Sequence, residues 1–369
     1  MGGRLRILYR RMQNSKTNIE KIKKLAWTLS LASGMKCLDV PGEYVWAYPG
    51  SDPNGSIKFN NVKQRMKSIF SSGNSIKDQE IINFIQQSSI NKFLLDPWTV
   101  QKYEENWVEW IKRNNNDTYT LKNLDLFNVK CYSQGTQESF LNFYMMNKDK
   151  RFRVFKGDYW WHMDIWTKLN LNWEYIENAD IIDNDVCIVS CPFALTGKRH
   201  EKFYELLDIC ERKGVDILID LIYLPNSMNH TVNIDLSRDC IKQITFSLSK
   251  TFPVQCAKVA IRLSKLKIGD PMEMSNNENI SNRLAAGLGL LLMEKFPLNY
   301  MVKKYKSSQN YWCNKLGLES TDVVHFAIGD SYLNLDQEER FISPFNIQDQ
   351  RYNLGMLYEN QNLINKCNL

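Results

Sequence analysis

Lys250 stands in Ile244-Thr245-Phe246-Ser247-Leu248-Ser249-Lys250, directly after an apolar run that reads as a buried strand. A lysine at that place can form an imine once burial or a nearby cation lowers its pKa. The hydroxyls of Ser247 and Ser249 suit a phosphate. Thirty residues upstream, Asp220 ends the apolar run Val215–Asp220, and Tyr223 follows three residues later. A carboxylate at a strand end can keep a ring nitrogen protonated and make the ring an electron sink, and a phenol beside it can bond a ring oxygen. Gly135, Thr136 and Gln137 open a helix after another strand, and free N–H groups at such a terminus cradle a phosphate. Taken singly, each feature has an ordinary structural reading: a surface lysine, a turn aspartate, a helix start.

The elements needed to bring these groups together are legible from residue 128 onward. Strands are expected at 128–132, 153–155, 186–190, 215–220, 243–247 and 259–263. Helices are expected at 136–146 and at 201–213, the latter closed by Gly214. Strands alternating with helices imply βαβ units and a mostly parallel sheet sandwiched by helices, an α/β class. Ligands bind such sheets beyond the carboxyl ends of the strands, where the residues above fall. Before this region, helices are expected at 18–30, 77–90 and 100–113, and a loop at Tyr48–Gly55. After it, a helix at 279–296 and strands at 323–327 and 352–357 suggest a smaller α+β domain. The expected division is an N-terminal segment or arm at 1–60, a large domain at 61–268 and a small domain at 269–369.

Taken in order, these pieces resemble the fold-type I pyridoxal-phosphate (PLP) enzymes, and within them the class I/II aminotransferases. The resemblance is densest over residues 128–265. Ser247-Leu248-Ser249-Lys250, followed eight residues later by Lys258, is similar to the family's Ser-x-Ser-Lys with a phosphate-gripping arginine. Here lysine replaces arginine, keeping the charge without the bidentate fork; Arg262 is the other candidate for the phosphate. Asp220 and Tyr223 match Asp-x-x-Tyr, and Gly135-Thr136-Gln137 fits the phosphate turn. Asp158-Tyr159-Trp160-Trp161-His162 resembles the segment that stacks on the cofactor ring, which implies Tyr159 as the stacking residue and His162 as a partner near Asp220. Arg351 in Arg351-Tyr352-Asn353 resembles the arginine that forks onto a substrate carboxylate. Gly50, in Tyr48-Pro49-Gly50, resembles the N-terminal segment that lies over the substrate. Pro192-Phe193-Ala194-Leu195-Thr196-Gly197 is similar to the Asn-Pro-Thr-Gly segment but has Ala194 where asparagine normally bonds the ring oxygen. Asn184 is one substitute to look for.

The resemblance implies a Schiff base of PLP at Lys250, a small amino-acid or keto-acid substrate, transamination, and a homodimer. The same machinery serves decarboxylases, lyases and synthases, and the Ala194 departure keeps those reactions open. A non-catalytic member of the fold is a further reading, against which Lys250 and Asp220 both stand. No second arginine for a dicarboxylic substrate stands out; Arg283 falls in an expected helix.

Composition excludes other classes. A net charge of +6 with basic residues dispersed beyond an N-terminal cluster (Arg4, Arg6, Arg10, Arg11) gives little reason to expect a nucleic-acid partner. No apolar run approaches the length of a membrane span. The N-terminal stretch has no apolar core followed by a cleavage site. Nine cysteines without Cys-x-x-Cys spacing fit a reduced, cytoplasmic setting. The four histidines lack metal-ligand spacing, and no metal is expected.

Overall fold

The computed structural model describes residues 73–329 and 350–359, together with the backbone of three strands, Lys36–Val40, Glu43–Ala47 and Ile57–Phe59, which pair as an antiparallel meander. Gly50 and the expected helix at 18–30 lie outside the described residues, as does most of the expected N-terminal arm.

Seven strands form the central sheet: β1 (Val129–Gln134), β2 (Arg151–Val154), β3 (Trp173–Tyr175), β4 (Asp185–Ser190), β5 (Asp216–Asp220), β6 (Ile241–Ser247) and β7 (Val259–Ser264). Their order is β1-β7-β6-β5-β4-β2-β3. All run parallel except β7, which is antiparallel to both neighbours. Every residue of β4 is buried, as its unbroken Asp-Val-Cys-Ile-Val-Ser run requires of a strand covered on both faces. The antiparallel strand matters for function. The carboxyl ends of the parallel strands and the start of β7 share one edge, so Lys258, just before β7, arrives beside Gly135, just after β1.

Helices pack on both faces. Thr136–Met146 follows β1, and Phe203–Lys213 follows β4, stopped by Gly214 in the left-handed region at φ 65°. Thr136–Met146 covers one face; on the other, with Phe203–Lys213, the helix Thr99–Arg113 buries Tyr103, Trp107, Trp110 and Ile111 against Arg283–Lys295. Close approach there depends on Gly289: a Cβ at that position would lie 2.6 Å from the Tyr103 ring.

Beyond the sheet, the expected single helix at 279–296 is two helices, Pro271–Asn277 and Arg283–Lys295. Each starts on a side-chain cap, Asp270 accepting from Glu273 N and Asn282 from Ala285 N. A 17-residue helix, Tyr300–Leu316, was not anticipated, because its apolar positions are interrupted by lysines and by a buried Gln309. Residues 352–357 are not one strand. β10 (Arg351–Asn353) joins β8 (Glu319–Ser320) and β9 (Phe326–Ile328) in a small antiparallel sheet, and a helical turn follows at Gly355–Glu359. Gln309 holds this region by donating to the carbonyls of Thr321, Val323 and Phe326.

The edge of the sheet away from the site carries a buried ion pair. Arg153 on β2 and Asp185 at the start of β4 are both fully buried and meet at 2.6 Å. Arg153 also donates to the carbonyls of Glu174, Tyr175, Ala179 and Asp180, so one guanidinium fixes the β3 strand and the chain after it. Removing one partner of such a pair strands the other's charge in the interior. Here Asp185 keeps Arg151, which forks onto it at 2.7 and 3.1 Å, so Arg153→Met leaves the carboxylate paired and instead strands the carbonyls that Arg153 served. The substitution lowers stability by about 2 kcal/mol, read as a shift in urea denaturation midpoint with an unchanged slope.

Candidate active site

A cavity of about 410 Å³ opens at the shared sheet edge, and groups from five strand ends and two loops face into it. β6 ends at Ser247, whose Oγ donates to Val259 O and accepts from Ser249 N, capping the single turn Leu248–Lys250. That turn carries Lys250 into the cavity. Burial, with the cations Arg351 and Lys258 close by, lowers its pKa to about 8. Asp220, at the end of β5, is pushed up to about 8, first by burial and then by the neighbouring carboxylate Asp158. One Asp220 oxygen accepts from Ile222 N at 3.0 Å; the other has no hydrogen bond among the described residues. Tyr223, three residues on, lines the same cavity, and its hydroxyl is held protonated by burial.

The opposite wall is an anion cup. Gly135 precedes the helix Thr136–Met146 at φ 86°, a conformation that side chains avoid. First-turn N–H groups of a helix have no helical acceptor and face outward from its start. Lys258 leans on this turn: a Cβ on Gly135 would lie 3.4 Å from Lys258 Cδ. Lys258 itself sits at φ 53°, uncommon for a non-glycine residue. Ser249 Oγ is buried here with no partner among the described residues, although a buried hydroxyl normally finds one. Gln137 reaches across and donates to the Tyr159 hydroxyl at 3.2 Å.

Arg262 is excluded from the cup. Three residues into β7, it is fully buried in an ion-pair cluster with Asp270 and Glu273. Of the two candidates, Lys258 is the one that lines the cavity.

The aromatic segment is placed by Asp158. Its carboxylate accepts from Ser190 N, Ser190 Oγ and Tyr159 N, pinning the turn to the end of β4. Tyr159 and Trp160 both line the cavity, whereas Trp161 turns back to lie parallel to Tyr159 over 6.2 Å. The expectation that His162 partners Asp220 is corrected by the geometry. Its Nδ1 pairs with the Tyr144 hydroxyl, its Nε2 has no partner among the described residues, and burial drives its pKa down to about 3. It packs between Phe140 and Trp166, behind the cavity wall. Asp158, not singled out from the sequence, is the titratable neighbour that acts on Asp220.

Arg351 enters from β10. It donates to Ala194 O and lies 4.3 Å over the Phe326 ring. Ala194 thus contributes its carbonyl, not a side chain. Asn184 does not replace the missing amide: it precedes β4, at the far end of the sheet, where its carbonyl takes Arg151 N. Arg283 likewise bonds backbone oxygens of Leu94 and Asn279, away from the site. Gly73 was missed altogether. A Cβ there would lie 3.2 Å from Lys250 Nζ, 3.3 Å from the Tyr223 hydroxyl and 3.9 Å from Arg351 Nη2, so a bare backbone covers all three groups. Asn353 secures that cover by donating to Asn74 O. Neither the length of the intervening chain nor any motif marks Gly73 in the sequence.

The lowered Lys250 pKa has a direct consequence. An amine reacts as its neutral form, so the pH at which labelling reaches half its limiting rate falls with the pKa. With no added ligand, acylation of Lys250 followed by peptide mass mapping reaches half its limiting rate near pH about 8, against about 10.4 for exposed lysines.

No protein-family model and no curated protein matches this sequence. Solved structures do match in three dimensions. A PLP-bound C–S lyase from Staphylococcus hominis aligns at a TM-score of 0.60 and 16% identity, over 79% of this chain and 85% of that one. An aminotransferase from Staphylococcus aureus aligns at 0.57 and 14%, over 79% and 88%. A PLP-bound putative aminotransferase from Clostridium difficile 630 aligns at 0.54 and 15%, over 80% and 92%. The sheet order, the helices on both faces and these alignments agree: the chain has the fold-type I architecture of the aminotransferase-like PLP enzymes.

Proposed function

We propose that the chain is a PLP-dependent enzyme acting on small amino acids, and that its reaction is transamination with a 2-keto acid. The observation that carries this reading is one cavity holding a lysine of lowered pKa, a buried carboxylate with an unused oxygen, and an anion cup. The cup is cationic through Lys258 and has the orphaned Ser249 hydroxyl, which fits a phosphate. Asp220 lacks a cation, which fits a protonated ring nitrogen. Tyr159 and Trp160 offer ring faces between the two. When bound, PLP supplies an aldehyde for amines and a ring that delocalises negative charge from the substrate Cα.

The protein's own groups then have these roles. Ser247, Ser249, Lys258 and the turn Gly135–Gln137 hold the phosphate. Asp220 keeps the ring nitrogen protonated, with Asp158 raising its proton affinity. Tyr223 bonds the ring oxygen; with Ala194 offering no amide, the phenol carries that task without the second donor common in the family. Lys250 would hold the cofactor through its amine and, in its neutral form, would be the group able to take and return a proton at the substrate Cα side. Arg351 binds the substrate carboxylate, and Gly73 closes over it, excluding water. His162 acts only from behind the wall, through Tyr144.

Two outcomes test the assignment. PLP added to the purified protein gives a new absorbance band that borohydride fixes covalently on Lys250, located by peptide mapping; Lys250→Ala shows neither. If the wild type forms no adduct, the proposal fails. An amino donor then bleaches the band and a keto acid restores it. The competing reading is a lyase, favoured by Ala194 and its changed hold on the ring oxygen. It predicts release of ammonia and a keto acid without a second keto acid being consumed.

Arg351→Ala strips a charged contact from the substrate and leaves its carboxylate unpaired. The cost of about 2 kcal/mol corresponds to about a thirtyfold rise in KM for the amino acid, measured by steady-state kinetics at saturating cofactor.

We also propose a homodimer, supported by a contiguous apolar surface on the loop before Thr99–Arg113. Leu94, Leu95 and Trp98 are 55%, 85% and 61% exposed. Sedimentation velocity gives the mass of two chains for the wild type and of one for a Leu95→Asp, Trp98→Asp variant. Seven described cysteines are free, and six of them are buried, which supports a reducing, cytoplasmic setting. No helix among the described residues is long and apolar enough to cross a membrane.

A further inference from the structure

Behind Lys250 lies a polar pair that the roles above do not use. Asn226 ends the turn Leu224–Asn226 that follows Tyr223, and His325 immediately precedes β9; both are buried. Asn226 Nδ2 lies 2.8 Å from Lys250 O and 3.4 Å from His325 Nδ1. A peptide oxygen only accepts, so the atom facing it is the amide NH2. The same NH2 faces His325 Nδ1, which must carry a lone pair, placing the ring proton on Nε2. Burial, with Arg351 and Lys250 nearby, pushes the His325 pKa down to about 3, so the acceptor persists at neutral pH.

The surrounding bonds make Asn226 a junction. Its N–H donates to Tyr223 O, and its carbonyl accepts from Val324 N. His325 O in turn accepts from Leu354 N, in the segment that carries Arg351. Lys250 O is taken by no backbone donor among the described residues, so Asn226 is what fixes it. Asn226 Oδ1 and His325 Nε2 are themselves buried without partners there. A leucine would fill the space and remove Oδ1, but it would leave His325 Nδ1 unpaired as well as Nε2. What it could not do is donate to Lys250 O.

We propose that Asn226, oriented by His325, is a positioning residue for Lys250. It fixes the lysine's carbonyl, and so the reach of Nζ, against Tyr223 and the arginine-bearing sheet. A four-carbon stem hung from a loose turn would sample many positions, and a displacement of about 1 Å can cost about 100-fold in rate. The inference rests on Lys250 being the reacting amine, so its test has arms that do not need turnover.

In the ligand-free protein labelled with 15N-histidine, long-range 1H–15N spectra report the His325 tautomer, assigned by its loss in His325→Phe. The wild type shows a single Nε2–H form between about pH 5 and about pH 8; Asn226→Leu, uncharged and close in shape, shows mixed tautomers while still folded, its melting temperature lowered by no more than about 5 °C. The acylation rate of Lys250 changes at least threefold in Asn226→Leu while exposed lysines react as before. In protein loaded with PLP, Asn226→Leu and His325→Phe lower kcat about tenfold to about 100-fold with KM within about twofold. His325→Gln, which restores an acceptor, recovers most of that loss. A wild-type Nδ1–H tautomer, or Lys250 reactivity unchanged in Asn226→Leu, overturns the inference whatever PLP does. A wild type that forms no PLP adduct overturns the proposed function, while the tautomer and acylation arms still decide this one.

Discussion

A lysine amine and an aspartate carboxyl share one nearly dry cavity, and neither has an opposite charge directly paired with it. Each loses solvation on folding, and each responds in the direction that removes its charge: Lys250 falls to about 8 and Asp220 rises to about 8. Nearby like charges push the same way, Arg351 and Lys258 on the lysine and Asp158 on the aspartate. An isolated carboxylate in that position costs stability as pH rises from its unfolded value toward the raised one, because the unfolded chain gives up the proton more readily. The arrangement is expensive for a fold that only needs to stand up. It is useful for one that must hold a reactive amine and a proton donor for a ring nitrogen.

The sheet makes the arrangement possible by geometry alone. Parallel strands present their carboxyl ends at one edge, and loops there have no ladder partners to satisfy. Ser190, Asp220 and Thr245 are brought level by register, with Ser247 two residues beyond, so small slips would scatter the groups. The one antiparallel strand adds a residue from a chain start, Lys258. The small sheet adds Arg351 from the far end of the sequence. Polar side chains around the sheets contribute rigidity: Asp158 pins the aromatic turn, Gln309 locks the small sheet, and Arg153 with Asp185 closes the remote edge.

Most strand and helix placement in residues 128–265 was legible because local signals agreed there; the helix Trp161–Lys168 and the short strand β3, in an aromatic-rich stretch, were not. β4 and β6 are apolar runs of strand length, Gly214 ends its helix where a left-handed residue is needed, and Thr136–Met146 was bounded to the residue. Beyond 265 the local pattern misled. Tyr300–Leu316 hides its apolar face among lysines, and Tyr352–Leu357 divides into strand and helix because Asn353 caps Gly355 N through its side chain. Neither outcome is visible in periodicity, since both are decided by what the segment packs against.

The sequence by itself determined which residues could do chemistry and in what order, because strand ends, glycine turns and the Ser-x-Ser-Lys run are local features. Lys250, Asp220, Tyr223, Gly135, Lys258 and Arg351 line one cavity as that order implied. Tertiary structure alone decided the rest. It took Arg262 out of the cavity by offering it Asp270 and Glu273, and turned His162 toward Tyr144. It gave Ala194 a role through its carbonyl, brought Gly73 over the lysine, and set Asn226 beneath it. Each of these depends on a contact between residues distant in the chain, often by a hundred positions or more. Hydrogen bonds and ion pairs act over a few ångströms of space, whatever the separation along the sequence.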